Sequence, residues 1–337
     1  MGHQLSREQF DQFLDRLQGS YRVFGPAVAA DGGNLADTDR ITYKEIRRFD
    51  DLELNRQSYF SPKEVFYPIR ETLFYFAGDE ITVPRLDDKK IVILLRPCDI
   101  NGIDRLDTIF LENGPSPDFY YQRRRDQVRF FLIECTTGFE NCWCVALNAN
   151  KTDRYDVAFR FSEEILAEVK SPEFAPYLAE YPSKPFEVQF IQENRRQVRV
   201  PRVEDVTLDL FEHDLWKEYT SRCIACGRCN TSCITCSCFT MQDVAFGTGK
   251  QMGERRRRWA GCQIDGFTDM AGGHKFREKN GDKMRFKAMH KINDYYRRFG
   301  KHQCVGCGRC DDVCPEYISF ARCINTLTQV IEEGKNR

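Results

Sequence analysis

Apolar residues recur at helical spacing at Leu5, Phe10, Phe13, Leu14 and Leu17, which predicts a surface helix over 5–17 with one buried face. Gly25-Pro26 and Asp31-Gly-Gly-Asn34 predict a loop behind it. Segments 21–30 and 39–46 read as two short strands or as a strand and a helix. Ser61-Pro62-Lys63-Glu64 carries an N-cap, a first-position proline and a capping-box acid, so a helix is predicted from there to about Phe76. Lys90–Leu95 is a continuous apolar run, the pattern of a buried parallel strand. A helix over 100–112, capped by Asp99 or Asn101, should follow. Val128–Glu134 is a second strand. Segments 155–161, 186–193 and 196–200 predict further strands, with a helix over 162–170. Pro172, Pro176, Pro182 and Pro185 mark an irregular crossing, and Pro201 starts a linker. Beyond it, 207–221, 288–299 and 319–333 have helical periodicity.

The pattern divides the chain into an α/β N-terminal domain, 1–201, and a mainly α-helical domain, 202–337; 337 residues suffice for two. The net charge of −1 says nothing about partners, but its distribution does. From Trp216 onward there are 22 Lys and Arg against 13 Asp and Glu. No apolar run approaches the ~18 residues of a membrane span, and the polar start, Met1-Gly-His-Gln-Leu-Ser-Arg-Glu8, does not read as a signal peptide.

Sixteen cysteines change the picture. Cys304, Cys307, Cys310 and Cys314, followed by Pro315, have the C-x2-C-x2-C-x3-C-P spacing of bacterial-type iron–sulfur ligation. Three thiolates in one tight turn reach one cubane, and the fourth serves a second. A partner run stands upstream at Cys223, Cys226, Cys229 and Cys233. Crossed pairing is expected: Cys223, Cys226, Cys229 and Cys314 for one [4Fe–4S] cluster, and Cys304, Cys307, Cys310 and Cys233 for another. Gly227 and Gly308 share an offset where backbone must pass close to sulfide. Zinc also uses C-x2-C pairs, but two runs of three tight ligands suit cubanes better. The second domain is thus expected to be a dicluster ferredoxin-like domain. Part of its basic excess offsets cluster charge; the rest, including Arg255–Arg258 on an expected helix, suits an acidic partner.

Both central strands deliver cysteine at their carboxyl ends, where open α/β sheets bind ligands. Cys98, Cys135, Cys142 and Cys144 are therefore candidates for a third [4Fe–4S] cluster, with zinc or metal-free core thiols as alternatives. Cys236 rivals Cys233 for the remote ligand position. Cys238, Cys262 and Cys323 are core thiols, substitute ligands or interface residues. Reduced thiols imply a cytoplasmic protein. No G-x-G-x-x-G follows a strand, Gly247–Lys250 lacks P-loop spacing, and no catalytic triad or HExxH occurs. Arg255–Arg258 has no nucleic-acid motif beside it.

Arg96-Pro-Cys-Asp99, Cys135 with Cys142-Trp-Cys144, the two cysteine runs, Thr235-Cys-Ser-Cys-Phe239, Arg258-Trp-Ala-Gly-Cys262 and Ala271-Gly-Gly-His274 together resemble the A-subunit family of anaerobic sulfite reductases. The chain is more distantly similar to the beta subunits of cytoplasmic sulfhydrogenases. The first resemblance implies a cytoplasmic three-subunit complex. In it a flavin subunit oxidises NADH, a sirohaem subunit reduces sulfite to sulfide, and the subunit resembled here carries electrons between them without catalytic residues of its own. The second implies the same role in a hydrogenase complex. A sirohaem- or sulfite-binding catalytic subunit is the reading of another class.

Overall fold

The computed structural model describes residues 2–33, 38–247 and 251–335. Asn34 of the expected loop and residues 248–250 lie outside that range. The strands are β1 (Gly2–Leu5), β2 (Tyr21–Ala29), β3 (Arg40–Glu45), β4 (Arg70–Ala77), β5 (Glu80–Thr82), β6 (Lys90–Leu95), β7 (Val128–Ile133), β8 (Val157–Phe161), β9 (Ile165–Val169), β10 (Phe239–Ala245) and β11 (Met252–Trp259). Seven of them form a mixed sheet of order β1-β9-β8-β7-β6-β2-β3. Its centre, β2 to β8, is parallel, and both edges are antiparallel.

The central strands are apolar throughout because both faces are covered. Along β6, Val92 and Leu94 face one core while Ile93 and Leu95 face the other; Phe131 and Phe130 divide likewise on β7. The first core is closed by α1 (Arg7–Gln18) through Phe10, Phe13, Leu14 and Leu17. Ser6 and Gln9 form a capping box at the start of α1. The second core is shared with the C-terminal part: Ile103 and Leu106 of α2 (Pro97–Asp107) pack in one cluster with Ile234, Ile324 and Leu327.

Several expectations need correction. Gly25-Pro26 lies inside β2, where the parallel pairing with β6 has already ended at Phe24, so the missing proline donor costs nothing on that side. Ser61 opens only a short 3-10 turn, Pro62–Val65, and makes no side-chain cap bond. Pro68 forbids a helical continuation, and the alternating Arg70–Ala77 becomes β4. Helix α2 begins at Pro97, three residues before the expected start, so Cys98 and Asp99 sit in its first turn. The expected helix 162–170 is the hairpin partner β9, with Ile165 and Ala167 facing inward. Segments 186–193 and 196–200 are extended without joining the sheet, apart from the Phe190–Cys135 bridge.

The C-terminal part holds short helices at Lys217–Arg222, Arg228–Thr231 and Arg309–Asp312, a helical stretch over 280–299 and the helix Phe320–Lys335. It is less helical than expected, because between the cysteine runs stands the hairpin β10–β11. This hairpin joins β4 and β5 in a four-stranded sheet, so strands from both sides of Pro201 pair. Arg255–Arg258 is therefore strand and not helix. Arg257 is buried, paired with Glu71 and Asp118, and Arg255 and Arg256 pair with Asp243 and Glu254. No helix among the described residues is long and apolar enough to cross a membrane.

Candidate iron–sulfur centres

Both cysteine runs use the same local device. The second residue after the first cysteine has positive φ in each, Ala225 (55°) and Gly306 (62°), and so does the residue after the second cysteine, Gly227 (71°) and Gly308 (80°). Two left-handed residues around one cysteine curl the loop inward, and a one-turn helix then carries the third cysteine. The shared glycine offset thus reflects backbone conformation. A Cβ on Gly308 would also stand 2.5 Å from the Asn141 carbonyl oxygen.

Cys223, Cys226, Cys229 and Cys314 line one largely apolar cavity (site I). Cys304, Cys307, Cys310 and Cys233 line another (site II). The second cavity takes three cysteines from one run and one from the other; the first takes three from its own run and two, Cys310 and Cys314, from the other. Cys310 lines both, so the sites are neighbours.

The third set assembles on the sheet rim. Because β6 and β7 are parallel, Cys98 and Cys135 emerge at the same end. The loop carrying Cys142 and Cys144 folds over them and is tied to the second run: Trp143 N–H donates to the Gly306 carbonyl at 2.8 Å, and the Cys142 thiol lies 3.6 Å from the Cys307 carbonyl oxygen. Burial pushes the Cys98 thiol well up, and Asp99, Cys144, Cys307 and Cys142 add to it. Burial likewise takes Cys142 to about 12 and Cys144 to about 11, with Cys135 among the neighbours of both. Cys98 and Cys135 thus each neighbour Cys142 and Cys144, which makes the four candidates for one site (site III) beside site II.

Elsewhere burial pushes Cys304 to about 12 and Cys229 to about 11. Such thiols become thiolates only beside strong positive charge, which bound iron supplies. The surroundings fit an anionic group. Lys63, Lys287 and Lys291 are 1%, 3% and 5% exposed. Their partners are a carbonyl (Cys236 O, 2.8 Å from Lys63), ring faces (Trp259 for Lys63, Phe320 for Lys287) and neutral oxygens (Thr235 Oγ1 and Gln303 Oε1 for Lys291). Burial opposes the charge on Lys287, yet Cys229, Cys310, Cys233 and Cys262 raise its value well above normal. An ammonium buried without an anion costs several kcal/mol; thiolate-ligated cubanes, each roughly −2 when oxidised, offset that cost. In site I the buried Gln263 Nε2 has no hydrogen-bond partner and lines the cavity, a donor suited to cluster sulfur. Zinc fits less well, because two runs of three closely spaced cysteines suit cubanes better than four-ligand zinc sites.

Residues 222–318 match the family of the 4Fe-4S dicluster domain. That match covers both cysteine runs and the hairpin between them. The chain is also 28% identical over 347 residues to "Sulfhydrogenase 2 subunit beta" of Pyrococcus furiosus, spanning 96% of this chain and 98% of that protein. Together these support an iron–sulfur chain of beta-subunit type, with [4Fe–4S] clusters in its dicluster domain.

Sequence reasoning missed the groups that hold the sites together. Arg309, a spacer within the second run, forms a buried pair with Asp99 at 2.6 and 3.1 Å. The lysines had a readable signal: Lys283, Lys287 and Lys291 stand four apart on one helical stretch, and all are buried. Like charges at that spacing repel, which makes sense when the face looks onto anions.

Proposed function

We propose that this chain is the electron-transfer subunit of a multi-subunit oxidoreductase complex, with clusters at sites I, II and III. The observation that carries this is contiguity: sites I and II share Cys310 and Lys287, and site III touches site II at Cys142 and Cys307. Each cluster, when bound, takes up and gives back one electron. The chain's own residues do the rest. The thiols of 223–233 and 304–314 supply crossed ligand sets, lysines balance charge, and Gln263 and backbone amides tune the sulfur. On this reading substrate chemistry belongs to another subunit. Residues 1–201 form the α/β part that carries site III, 202–337 carry sites I and II, and a cytoplasmic location suits thiols kept reduced.

For the complex itself, the nearly full-length likeness to a sulfhydrogenase beta subunit favours a hydrogenase-type assembly. A second reading, an NADH-dependent sulfite reductase with a sirohaem subunit, is favoured by the Arg96–Asp99, Thr235–Phe239 and Arg258–Cys262 motifs. Anaerobic purification with native partners separates them. A nickel-containing partner supports the first, a partner with sirohaem bands the second, and a preparation without iron and acid-labile sulfide sinks both.

A further inference from the structure

Four cysteines remain outside sites I to III, and the fold gathers three of them, Cys236, Cys238 and Cys262; the fourth, Cys323, is buried on the C-terminal helix. Cys236 and Cys238 precede β10, and Cys262 follows β11; the hairpin register pairs Phe239 with Trp259, and Ala260 N–H donates to the Cys238 carbonyl at 3.0 Å. Asn230, between the third and fourth cysteines of the first run, holds the assembly. Its Nδ2 points to the Cys262 sulfur at 3.4 Å and to the Cys236 sulfur at 3.9 Å, while its Oδ1 accepts from Gln263 N–H at 3.1 Å. A Cβ on Gly261 would meet Asn230 Oδ1 at 2.7 Å, so the turn before Cys262 needs glycine for this approach.

The three sulfurs line one cavity. Lys287, Lys291 and Thr235 line both cavities, and Lys63 sits on the Cys236 carbonyl. Two buried lysines, Lys287 and Lys291, thus line a place where the chain offers three thiols and no carboxylate among the lining residues.

We propose that Cys236, Cys238 and Cys262 hold a fourth iron–sulfur cluster, a [4Fe–4S] unit with three cysteine ligands. His290, on the same cavity wall, is the candidate ligand of its fourth iron. The centre adjoins site II and adds a branch to the series.

The inference rests on the reading of the chain as a cluster carrier, and the two fail separately. The full-length protein, purified anaerobically, is assayed for iron, zinc and acid-labile sulfide and by EPR after reduction. Cys262→Ala should lose three to four irons per chain, about one cluster, and keep the dicluster signals. His290→Ala, a milder change, should fold, keep its clusters when prepared anaerobically, and yield a three-iron EPR signal on mild oxidation that the parent lacks. If Cys262→Ala does not fold, the His290→Ala spectrum decides. Unchanged iron in folded Cys262→Ala, loss of one zinc instead, or folded His290→Ala without the three-iron signal overturns the fourth cluster and leaves the other sites standing. A parent protein without iron overturns the carrier reading as well.

Discussion

Removing the charge on Asp99 should separate two sites that the chain builds 200 residues apart. Asp99 is fully buried beside Cys98, and Arg309 is fully buried between Cys307 and Cys310. The guanidinium donates to both carboxylate oxygens, at 2.6 and 3.1 Å, and to Ser58 Oγ and O at 3.1–3.2 Å. Asp99→Asn deletes the negative charge and sets an amide N–H against a guanidinium N–H. Arginine cannot escape by losing its proton. Stranding one member of a buried pair costs about 3–5 kcal/mol. For a chain this long that corresponds to a melting point lower by roughly 4–7 °C. The assay is thermal unfolding of anaerobic protein, followed in parallel by far-ultraviolet circular dichroism and by cluster absorbance. Asp99→Leu with Arg309→Met should recover most of the loss, because an apolar pair strands no charge. The reasoning is refuted if Asp99→Asn melts within about 1 °C of the parent, or if the double variant is no better than the single one.

Cys142→Ala should remove about four irons per chain, one cubane, while the dicluster EPR signals persist; unchanged iron would show that site III holds no cluster. Lys291→Met removes a buried cation beside Cys233 and Cys304. It should lower the site II reduction potential by on the order of 50–100 mV at an effective dielectric near 20, and a potentiometric titration showing no change or a rise contradicts this. Burial alone would raise the Glu173 carboxyl, but hydrogen bonds from Lys90, Arg129 and Tyr21 outweigh it and bring it down to about 2. A depressed carboxyl contributes stability that is full above its ordinary 4.5 and fades as pH falls toward about 2. Glu173→Gln should therefore cost about 2 kcal/mol at pH 7 and flatten the decline of the melting point between those pH values; an acid limb that superimposes on the parent's rules this out.

Spacing along the chain was enough for whatever depends on neighbours within a few turns. The C-x2-C-x2-C runs, the helix behind Ser6 and the apolar strands β6 and β7 are legible because loop curl, amphipathic period and two-sided burial leave local marks. The crossed pairing of Cys314 and Cys233 is a proposal that rests on the same spacing and on the cavity linings. Where competing patterns had similar local strength, tertiary pairing decided. Residues 70–77 and 255–258 became strands because each offered the other an edge and Arg257 found Glu71 and Asp118 inside. Residues 165–169 became β9 because β8 had a free edge. The Asp99–Arg309 pair, the lysines among the thiols and the meeting of Cys236, Cys238 and Cys262 join segments that carry no mark of one another. A buried charge or a lone thiol reveals its partner only when the chain has closed around both, because the energy that selects the partner is desolvation, and desolvation belongs to the folded interior.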